Sequence, residues 1–273
     1  MKLRLSSLFQ IRQKGFVLKF YPSSMSRVLW VGQYLSEEDY GEEQEFFRRY
    51  LRPNDEVIDV GANIGFFTLI FSTLVGKHGK VYAFEAHPRI YKYLQGNLVL
   101  NKVDNVCAFN LALGNKSETL KFSDKKGDDG NSVVDDDSGI TVPAKRLDAV
   151  GIESASVSLL KIDVEGYEKF VLEGAGHTLQ KVHCIYFESI ERHFLKFGYK
   201  LGDLLNILIN QGFQILEIEG DKVWKVSSNC YPESSNNLVG VREISDFLKR
   251  TNFQFFQKTK SRPITQSKRH HES

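Results

Sequence analysis

Long apolar runs, cysteine pairs and metal-binding spacings are largely missing from this sequence of 273 residues. No stretch approaches the about 20 apolar residues of a membrane-spanning helix, and the basic N-terminus never sustains the apolar core of a signal peptide. The three cysteines, Cys107, Cys184 and Cys230, lie far apart and form no CxxC pair, which is typical of free thiols in a reducing compartment. We therefore expect a cytoplasmic protein without stable membrane insertion.

Charge is distributed unevenly along the chain. The formal net charge is +2, but residues 1–30 carry six basic side chains and no acid, and residues 241–273 carry a net charge of +5. The remaining residues, 31–240, therefore carry −9. A nucleic-acid-binding protein is expected to have a basic face on its folded part. The distribution argues against a nucleic-acid partner and says nothing about the oligomeric state.

Strand and helix patterns alternate through the middle of the chain. Strands are predicted at 56–60, 80–86, 106–113, 157–164, 183–190 and 213–220, and helices at 36–51, 64–75, 88–101, 166–180 and 202–211. Such alternation is typical of parallel βαβ units. The sequence therefore predicts an α/β protein with a mostly parallel, doubly wound sheet and helices on both faces, whose ligands bind beyond the carboxyl ends of the strands.

The two ends and one internal segment depart from this pattern. We expect residues 1–36 to form an N-terminal extension with short strands at "FVLKFY" and "RVLWVG", residues 37–245 to form the main domain, and residues 246–273 to form a basic, partly disordered tail. The acidic, glycine-rich segment 124–143 does not match a calcium-binding loop. It is predicted to be a solvated hairpin or loop near the strand ends, where it could contact a substrate.

The stretch "VIDVGANIG" leads a strand directly into a glycine-containing loop. Gly61 allows the sharp turn, Gly65 allows close helix packing or approach to a ligand, and Asp59 is expected to point into the crevice. A dinucleotide site requires G-x-G-x-x-G, but Asn63 occupies the place of the second glycine. An acid here also repels a pyrophosphate. The pattern favours a ligand that is cationic and has no phosphate, such as S-adenosylmethionine.

Glu85 ends the next predicted strand, 26 residues after Asp59. A carboxylate at this place can accept hydrogen bonds from both ribose hydroxyls of a nucleoside cofactor. Two alternatives remain at this point. One is a nicotinamide-dependent oxidoreductase, which uses a similar fold and a ribose-binding acid. The other is a cofactor-binding module without catalytic activity.

Six short motifs, in this order, resemble the FkbM-type family of S-adenosylmethionine-dependent methyltransferases. They are "DVGANIG" (59–65), "AFEAHP" (83–88), "NLVLN" (97–101), "NLALG" (110–114), "KIDVEGYE" (161–168) and "VLEGA" (171–175). The resemblance implies a Rossmann-like class I methyltransferase fold with S-adenosylmethionine as the cofactor. It also implies, most often, O-methylation of a hydroxyl on a sugar, a glycan or a related small metabolite.

The resemblance further implies which residues bind the cofactor. It places Glu85, with Ala86 beside it, at the ribose and either Glu42 or Glu43 at the site from the preceding helix. The loop residues around the methionine part would be Asp59, Gly61, Ala62, Asn63 and Gly65, and those near the adenine would be Leu111 and Ala112.

The motif "KIDVEGYE" contains the main candidates for catalysis. Asp163 and Glu165 would face the same crevice if the strand geometry continues past Asp163. Methyl transfer requires a positioned acceptor and a base, and a carboxylate can serve. Alternatively the two acids hold a divalent metal ion, or Glu165 only caps the next helix. We favour the metal-free interpretation, because this stretch offers no third ligand.

Glu188 ends the fifth predicted strand, and His193 follows it closely. Glu188 is therefore a further catalytic candidate. Lys161 lies two residues before Asp163. It would either form an ion pair along the strand or keep Asp163 ionised.

Overall fold

A nine-stranded sheet forms the centre of the protein. The structure is a computed structural model that describes residues 10–35, 41–124, 131–134, 139–227 and 237–256. The strands are β1 (Gln10–Gln13), β2 (Phe16–Lys19), β3 (Glu56–Val60), β4 (Lys80–Phe84), β5 (Val106–Phe109), β6 (Ala112–Leu113), β7 (Glu118–Phe122), β8 (Ile140–Lys145), β9 (Val157–Ile162), β10 (Val182–Glu188), β11 (Gln214–Glu219), β12 (Lys222–Val226), β13 (Asn237–Val241) and β14 (Gln254–Phe256). The helices are α1 (Ser24–Leu35), α2 (Gly41–Tyr50), α3 (Phe66–Val75), α4 (Pro88–Leu100), α5 (Glu168–Glu173), α6 (Gly176–Leu179), α7 (Glu191–Leu195), α8 (Leu201–Asn210) and α9 (Ile244–Thr251).

The order of strands in the large sheet is β14-β12-β11-β13-β10-β9-β3-β4-β5. Strands β5, β4, β3, β9 and β10 are parallel neighbours, whereas β13 runs antiparallel between β10 and β11. The chain moves outwards from β3 to β5 and then returns to the other side of β3 with β9, so the direction of winding switches between β3 and β9. The predicted fold class, a Rossmann-like and mostly parallel sheet, is confirmed.

Helices cover both faces of this sheet and create two apolar cores. On one face Phe47 of α2 and Phe71 of α3 are fully buried and stack edge to face, with ring centroids 4.7 Å apart. On the other face Val171 of α5 and Leu205 of α8 pack against Phe187 of β10. Within the described residues no helix is long and apolar enough to cross a membrane.

The N-terminal segment packs against the main core. Its first predicted strand is confirmed by the hairpin of β1 and β2, whose Ile11 and Leu18 are fully buried in the core. The prediction of a second strand at "RVLWVG" is wrong, because these residues lie in α1. A short apolar run suits a strand and a buried helix face equally well, so this pattern could not decide between them.

Two asparagines of the "NLVLN" motif hold this hairpin in place. Asn97 accepts a hydrogen bond from the Lys19 amide (2.9 Å) and donates one to the Ile64 carbonyl in the loop after β3 (2.8 Å). Asn101 accepts from the Val17 amide and donates to its carbonyl. The motif thus connects the N-terminal hairpin, α4 and the loop after β3.

The C-terminal boundary was also predicted incorrectly. Residues 246–256, assigned to a tail, belong to α9 and to β14, which pairs with β12 in the large sheet. Phe247 of α9 is buried in the apolar core that contains Phe47 and Phe71. The predicted disorder of the remaining tail concerns residues outside the described ranges.

A second, three-stranded sheet, in the order β6-β8-β7, lies beside the large one. The predicted third strand therefore stops at Phe109, and Ala112–Leu113 belong to the small sheet. Segment 124–143 was expected to be a hairpin or loop, and its described part agrees, since Phe122 forms a bridge with Val133 and β7 pairs with β8.

Asn97→Ala tests the connection made by this asparagine. The change leaves the Lys19 amide and the Ile64 carbonyl without partners, and each unsatisfied buried group costs about 1 to 3 kcal/mol. We expect the free energy of unfolding to fall by about 2 kcal/mol or more, as measured by chemical denaturation. Gln95→Ala, on the exposed side of the same helix, is the control and should change it by less than about 0.5 kcal/mol. Equal effects of the two changes would contradict the assigned role of Asn97.

Candidate active site

A cavity of about 350 Å³ opens at the carboxyl ends of β3, β4, β9 and β10. It lies where the direction of winding switches, the usual ligand site of an open α/β sheet. The following predicted site residues line it: Glu43, Gly61, Ala62, Asn63, Glu85, Ala86, Leu111, Ala112, Asp163, Glu165 and Glu188. Asp59 and Gly65 do not line it, and their roles differ from those predicted.

The loop after β3 uses its own backbone amides internally. The amides of Gly61 and Ala62 donate to the Phe84 carbonyl (3.0 and 2.9 Å), and that of Gly65 donates to the Ala62 carbonyl. The Asn63 amide donates to Glu85, and the Ile64 amide donates to the Asn63 side chain. A phosphate-binding loop instead points its amides at the ligand. This loop is therefore poorly suited to a pyrophosphate.

The two glycines of the loop are required for close packing. Gly61 has φ +82°, and a Cβ there would lie 1.8 Å from the Asp163 carbonyl oxygen. Gly65 has φ +91°, and a Cβ there would lie 2.6 Å from the Leu94 side chain of α4. Of the two roles predicted for Gly65, the structure shows helix packing.

Asp59 was expected to point into the crevice, and this prediction is wrong. Its side chain has no exposed surface. It accepts a hydrogen bond from the Thr68 hydroxyl at 2.6 Å and lies 3.6 Å from the ammonium of Lys161 on the neighbouring strand. A position at a strand end does not determine which way a side chain points, because residues alternate between the two faces.

Lys161 lies at the cavity between two carboxylates. Its ammonium is 3.3 Å from Asp163 as well as 3.6 Å from Asp59, and the side chain is only 3% exposed. Burial alone would lower the pKa of Lys161, but the charges of Asp163, Asp59 and Glu43 outweigh it, so the pKa is raised. Lys161 is therefore protonated, and the ion pair predicted along the strand is present.

Glu85 receives hydrogen bonds from two backbone amides. Asn63 donates to one carboxylate oxygen (2.9 Å) and His87 to the other (2.8 Å). A carboxylate oxygen can accept more than one hydrogen bond, and the side chain lines the cavity. The carboxylate is thus fixed in orientation and can still accept hydrogen bonds from a diol. His87 caps α4 by accepting a hydrogen bond from the Arg89 amide.

Glu43 enters the cavity from α2, as the resemblance implied. One of its oxygens accepts from the Tyr186 hydroxyl (2.9 Å) and the Asn237 side chain (2.7 Å). Burial, followed by the charge of Asp163, raises the pKa of Glu43. Tyr186 and Asn237 were missed in the sequence, because they lie more than 140 positions away from Glu43 and only the β10–β13 pairing brings them together.

Asp163 and Glu165 both line the cavity, but the extended strand geometry that was expected to place them there does not continue to Glu165. The strand ends at Ile162, and Glu165 lies in a turn with φ +57°. The alternative that Glu165 caps the next helix is wrong, since α5 begins only at Glu168 and has no side-chain cap. Asp163 is 45% exposed, which leaves its carboxylate accessible from the cavity.

Glu188 forms a pair with His193, whose Nδ1 lies 2.9 Å from the Glu188 carboxyl. Burial, and then the charges of Asp163, Glu168 and Glu165, raises the pKa of Glu188 to about 9. Burial, and then the nearby cations Lys196 and Arg192, lowers the pKa of His193. Both shifts favour the uncharged forms of the pair, a protonated carboxyl group and a neutral imidazole.

The fold is Rossmann-like, and the loop after β3 presents no described amide to a phosphate, since its amides bond within the protein. The family model "Methyltransferase FkbM domain" matches residues 59–215, more than half of the chain, so the chain belongs to the FkbM methyltransferase family. It is a methyltransferase that depends on S-adenosylmethionine. The alternative of a nicotinamide-dependent oxidoreductase is set aside by this match.

Individual relatives are distant. The chain is 26% identical to the 2-O-methyltransferase NoeI of Sinorhizobium fredii over 58% of this chain and 72% of that protein. It is 28% identical to the hexuronic acid methyltransferase AglP of Haloferax volcanii over 64% of this chain and 71% of that one. The crystal structure of an FkbM methyltransferase from Methylobacillus flagellatus aligns with a TM-score of 0.45 and 16% identity, over 79% of this chain and 54% of that one.

Gly61→Ala and Gly151→Ala form a matched pair of substitutions. Both glycines have a left-handed backbone, but a Cβ at Gly151 meets no atom within 4 Å. We expect Gly151→Ala to cost about 1 to 2 kcal/mol of stability from the backbone alone. Gly61→Ala should cost about 2 kcal/mol more from the clash with Asp163 and should also weaken binding of S-adenosylhomocysteine. Thermal and chemical unfolding measure the difference, and equal losses would contradict the packing described.

Proposed function

We propose that the chain transfers a methyl group to a hydroxyl of a sugar, a glycan or a related small metabolite. The observation that carries this proposal is the position of three carboxyl groups, those of Asp163, Glu165 and Glu188, together on the cavity wall. Carboxyl groups at this place can orient a polyhydroxylated acceptor, and an ionised one can accept the proton that a hydroxyl releases. The names of the relatives NoeI and AglP support the same acceptor class.

The donors and acceptors around the cavity suit S-adenosylmethionine. Glu85 would bind the ribose hydroxyls, and the carboxylate of Glu43 would face the amino group of the methionine part. Leu111 and Ala112 offer an apolar surface to the adenine. The loop amides, which bond within the protein, are not needed by a cofactor without phosphate. Asp59 would act indirectly, by fixing Lys161 and α3.

When bound, S-adenosylmethionine supplies an activated methyl group that an acceptor oxygen can take by in-line displacement. Asp163 would accept the proton of the acceptor hydroxyl as the oxygen–carbon bond forms. We assign this role to Asp163 because its carboxylate is exposed to the cavity, whereas burial raises the pKa of Glu188 and so favours the protonated form, which cannot accept a proton. Glu165, in the turn beside it, and Glu188 would orient the acceptor.

A transfer assay with methyl-labelled S-adenosylmethionine tests the acceptor class. The acceptors should include neutral oligosaccharides, hexuronates and, as a check on the expected absence of a nucleic-acid substrate, transfer RNA. A methyl ether on a hydroxyl survives mild base, whereas a methyl ester on a carboxylate releases labelled methanol. We expect a base-stable label on a sugar. Label found only on RNA, on an amine or in a base-labile ester would overturn the proposal.

Glu85→Gln tests the ribose contact. The amide keeps the size of the side chain but loses a charged acceptor, and a hydrogen bond to a charged group contributes about 1.5 to 3 kcal/mol. Calorimetry should show S-adenosylhomocysteine binding weakened by about 10- to 100-fold. Glu45→Gln, the same change on the exposed side of α2, should leave the affinity unchanged. A folded Glu85→Gln protein with wild-type affinity would remove Glu85 from the site.

Asp163→Asn separates cofactor binding from chemistry. The amide keeps the shape and loses the basicity, so turnover should fall by about 100-fold or more, while S-adenosylhomocysteine affinity stays within a few-fold. Asp104→Asn, at an exposed position, is the control. Glu165→Gln in the same assay shows whether the neighbouring acid is the base instead. Full turnover in Asp163→Asn would refute the assignment.

A further inference from the structure

The metal-free interpretation of the sequence rested on the lack of a third ligand beside Asp163 and Glu165. The structure brings together a different set of three possible metal ligands. One carboxylate oxygen of Glu165, one of Glu188 and the Nδ1 atom of His193 all lie within 4.8 Å of one another. Glu165 comes from the turn after β9, Glu188 from the end of β10 and His193 from α7. The sequence could not show that these three elements meet.

We propose that Glu165, Glu188 and His193 bind a divalent cation of the Mn²⁺ type. The His193 Nδ1 atom lies 2.9 Å from the Glu188 oxygen and 3.5 Å from the Glu165 oxygen. Two ligands at right angles around an ion with bonds of about 2.1 Å lie about 3 Å apart, and tetrahedral ligands lie about 3.4 Å apart. The two distances from Nδ1 therefore match the spacing of neighbouring ligands around one ion, and the two carboxylate oxygens lie within 4.8 Å of each other.

The ligand types select the kind of ion. Two carboxylate oxygens and one imidazole nitrogen suit Mn²⁺ or Zn²⁺ better than Mg²⁺ or Ca²⁺, which prefer oxygen alone. The nitrogen that faces both carboxyl groups is Nδ1, and an imidazole nitrogen is the commonest metal ligand among side chains. The set resembles three-ligand sites that leave further positions open for water or substrate.

The backbone around the cluster of Glu165, Glu188 and His193 is closely packed. A Cβ at Gly166, the residue after Glu165, would lie 2.5 Å from the His193 carbonyl oxygen. The turn that carries Glu165 is thus in direct contact with the helix that carries His193. This contact fixes the distance between two of the three ligands before any ion binds, which reduces the cost of ordering the site.

A buried carboxyl group beside the cluster is a second observation that suits a bound cation. Glu168, next to the turn, is fully buried, and its Oε2 atom has no hydrogen-bond partner among the described residues. A buried carboxylate of this kind is costly unless a nearby positive charge offsets it.

The ion would connect the cluster to the acceptor. Glu165 and Glu188 line the cavity, so the open positions of the ion would face it. Oxygens of a hydroxylated acceptor could occupy these positions, and a bound cation lowers the pKa of a hydroxyl that it contacts. This role of the ion rests on the proposed function, but binding of the ion does not.

The test is Mn²⁺ binding to the full chain in complex with S-adenosylhomocysteine, followed by electron paramagnetic resonance. Mn²⁺ avoids thiols, so the three cysteines of the chain do not compete. We expect one tightly bound equivalent, with hyperfine coupling to one histidine nitrogen. Glu165→Gln, Glu188→Gln and His193→Gln should each weaken binding by about 10- to 100-fold or more, the range seen even for residues that only support metal ligands. The nitrogen coupling should disappear in His193→Gln.

The controls are Glu153→Gln and His177→Gln, which remove the same groups at exposed positions and should leave Mn²⁺ binding unchanged. Replacing both His270 and His271 of the C-terminal tail by Gln should likewise leave Mn²⁺ binding unchanged. Absence of bound Mn²⁺ at millimolar concentration in a chain that binds S-adenosylhomocysteine would overturn the proposal. So would binding that survives all three ligand substitutions. Neither measurement requires an acceptor, so failure here is distinct from failure of the proposed methyl transfer.

Discussion

The ammonium of Lys161 is the group on which the arrangement of the site depends. It lies almost without solvent between Asp59 on β3 and Asp163 after β9. A buried cation is costly unless it is paired and hydrogen-bonded, so both carboxylates have to stay near it. These two strands border the point where the winding of the sheet switches direction. The ion pairs therefore hold the two sides of the cavity together and fix the place of the proposed base.

Much of the fold followed from the sequence, because apolar runs and helical periods mark the βαβ units from β3 to α8. What the sequence could not show depends on contacts between distant parts of the chain. The "RVLWVG" run suits both a strand and a helix face, and only packing of α1 decides between them. Strands β13 and β14 are only five and three residues long, and their places in the sheet depend on pairing with β10, β11 and β12.

In the candidate site, too, the motifs predicted some residues, and contacts between distant parts of the chain determined the others. The motifs identified Glu85, Asn63 and Asp163 correctly as residues of the cavity. Asp59 was placed wrongly because its position in the motif does not reveal on which side of the strand its side chain lies. Glu43 was predicted, but the two residues that hold its carboxylate, Tyr186 and Asn237, depend on sheet pairing. His193 was noted only as a neighbour of Glu188, and its contact with Glu165 required the turn at Glu165 and Gly166.

The charge of the cavity affects the two forms of the cofactor differently. Five carboxyl groups, those of Glu43, Glu85, Asp163, Glu165 and Glu188, line it together with Lys161 among the described residues. The cofactor arrives with a positive sulfonium, and methyl transfer leaves a neutral thioether. Ionised carboxylates attract the first form and not the second. If the cofactor binds as proposed, loss of this attraction after methyl transfer would favour release of the spent cofactor.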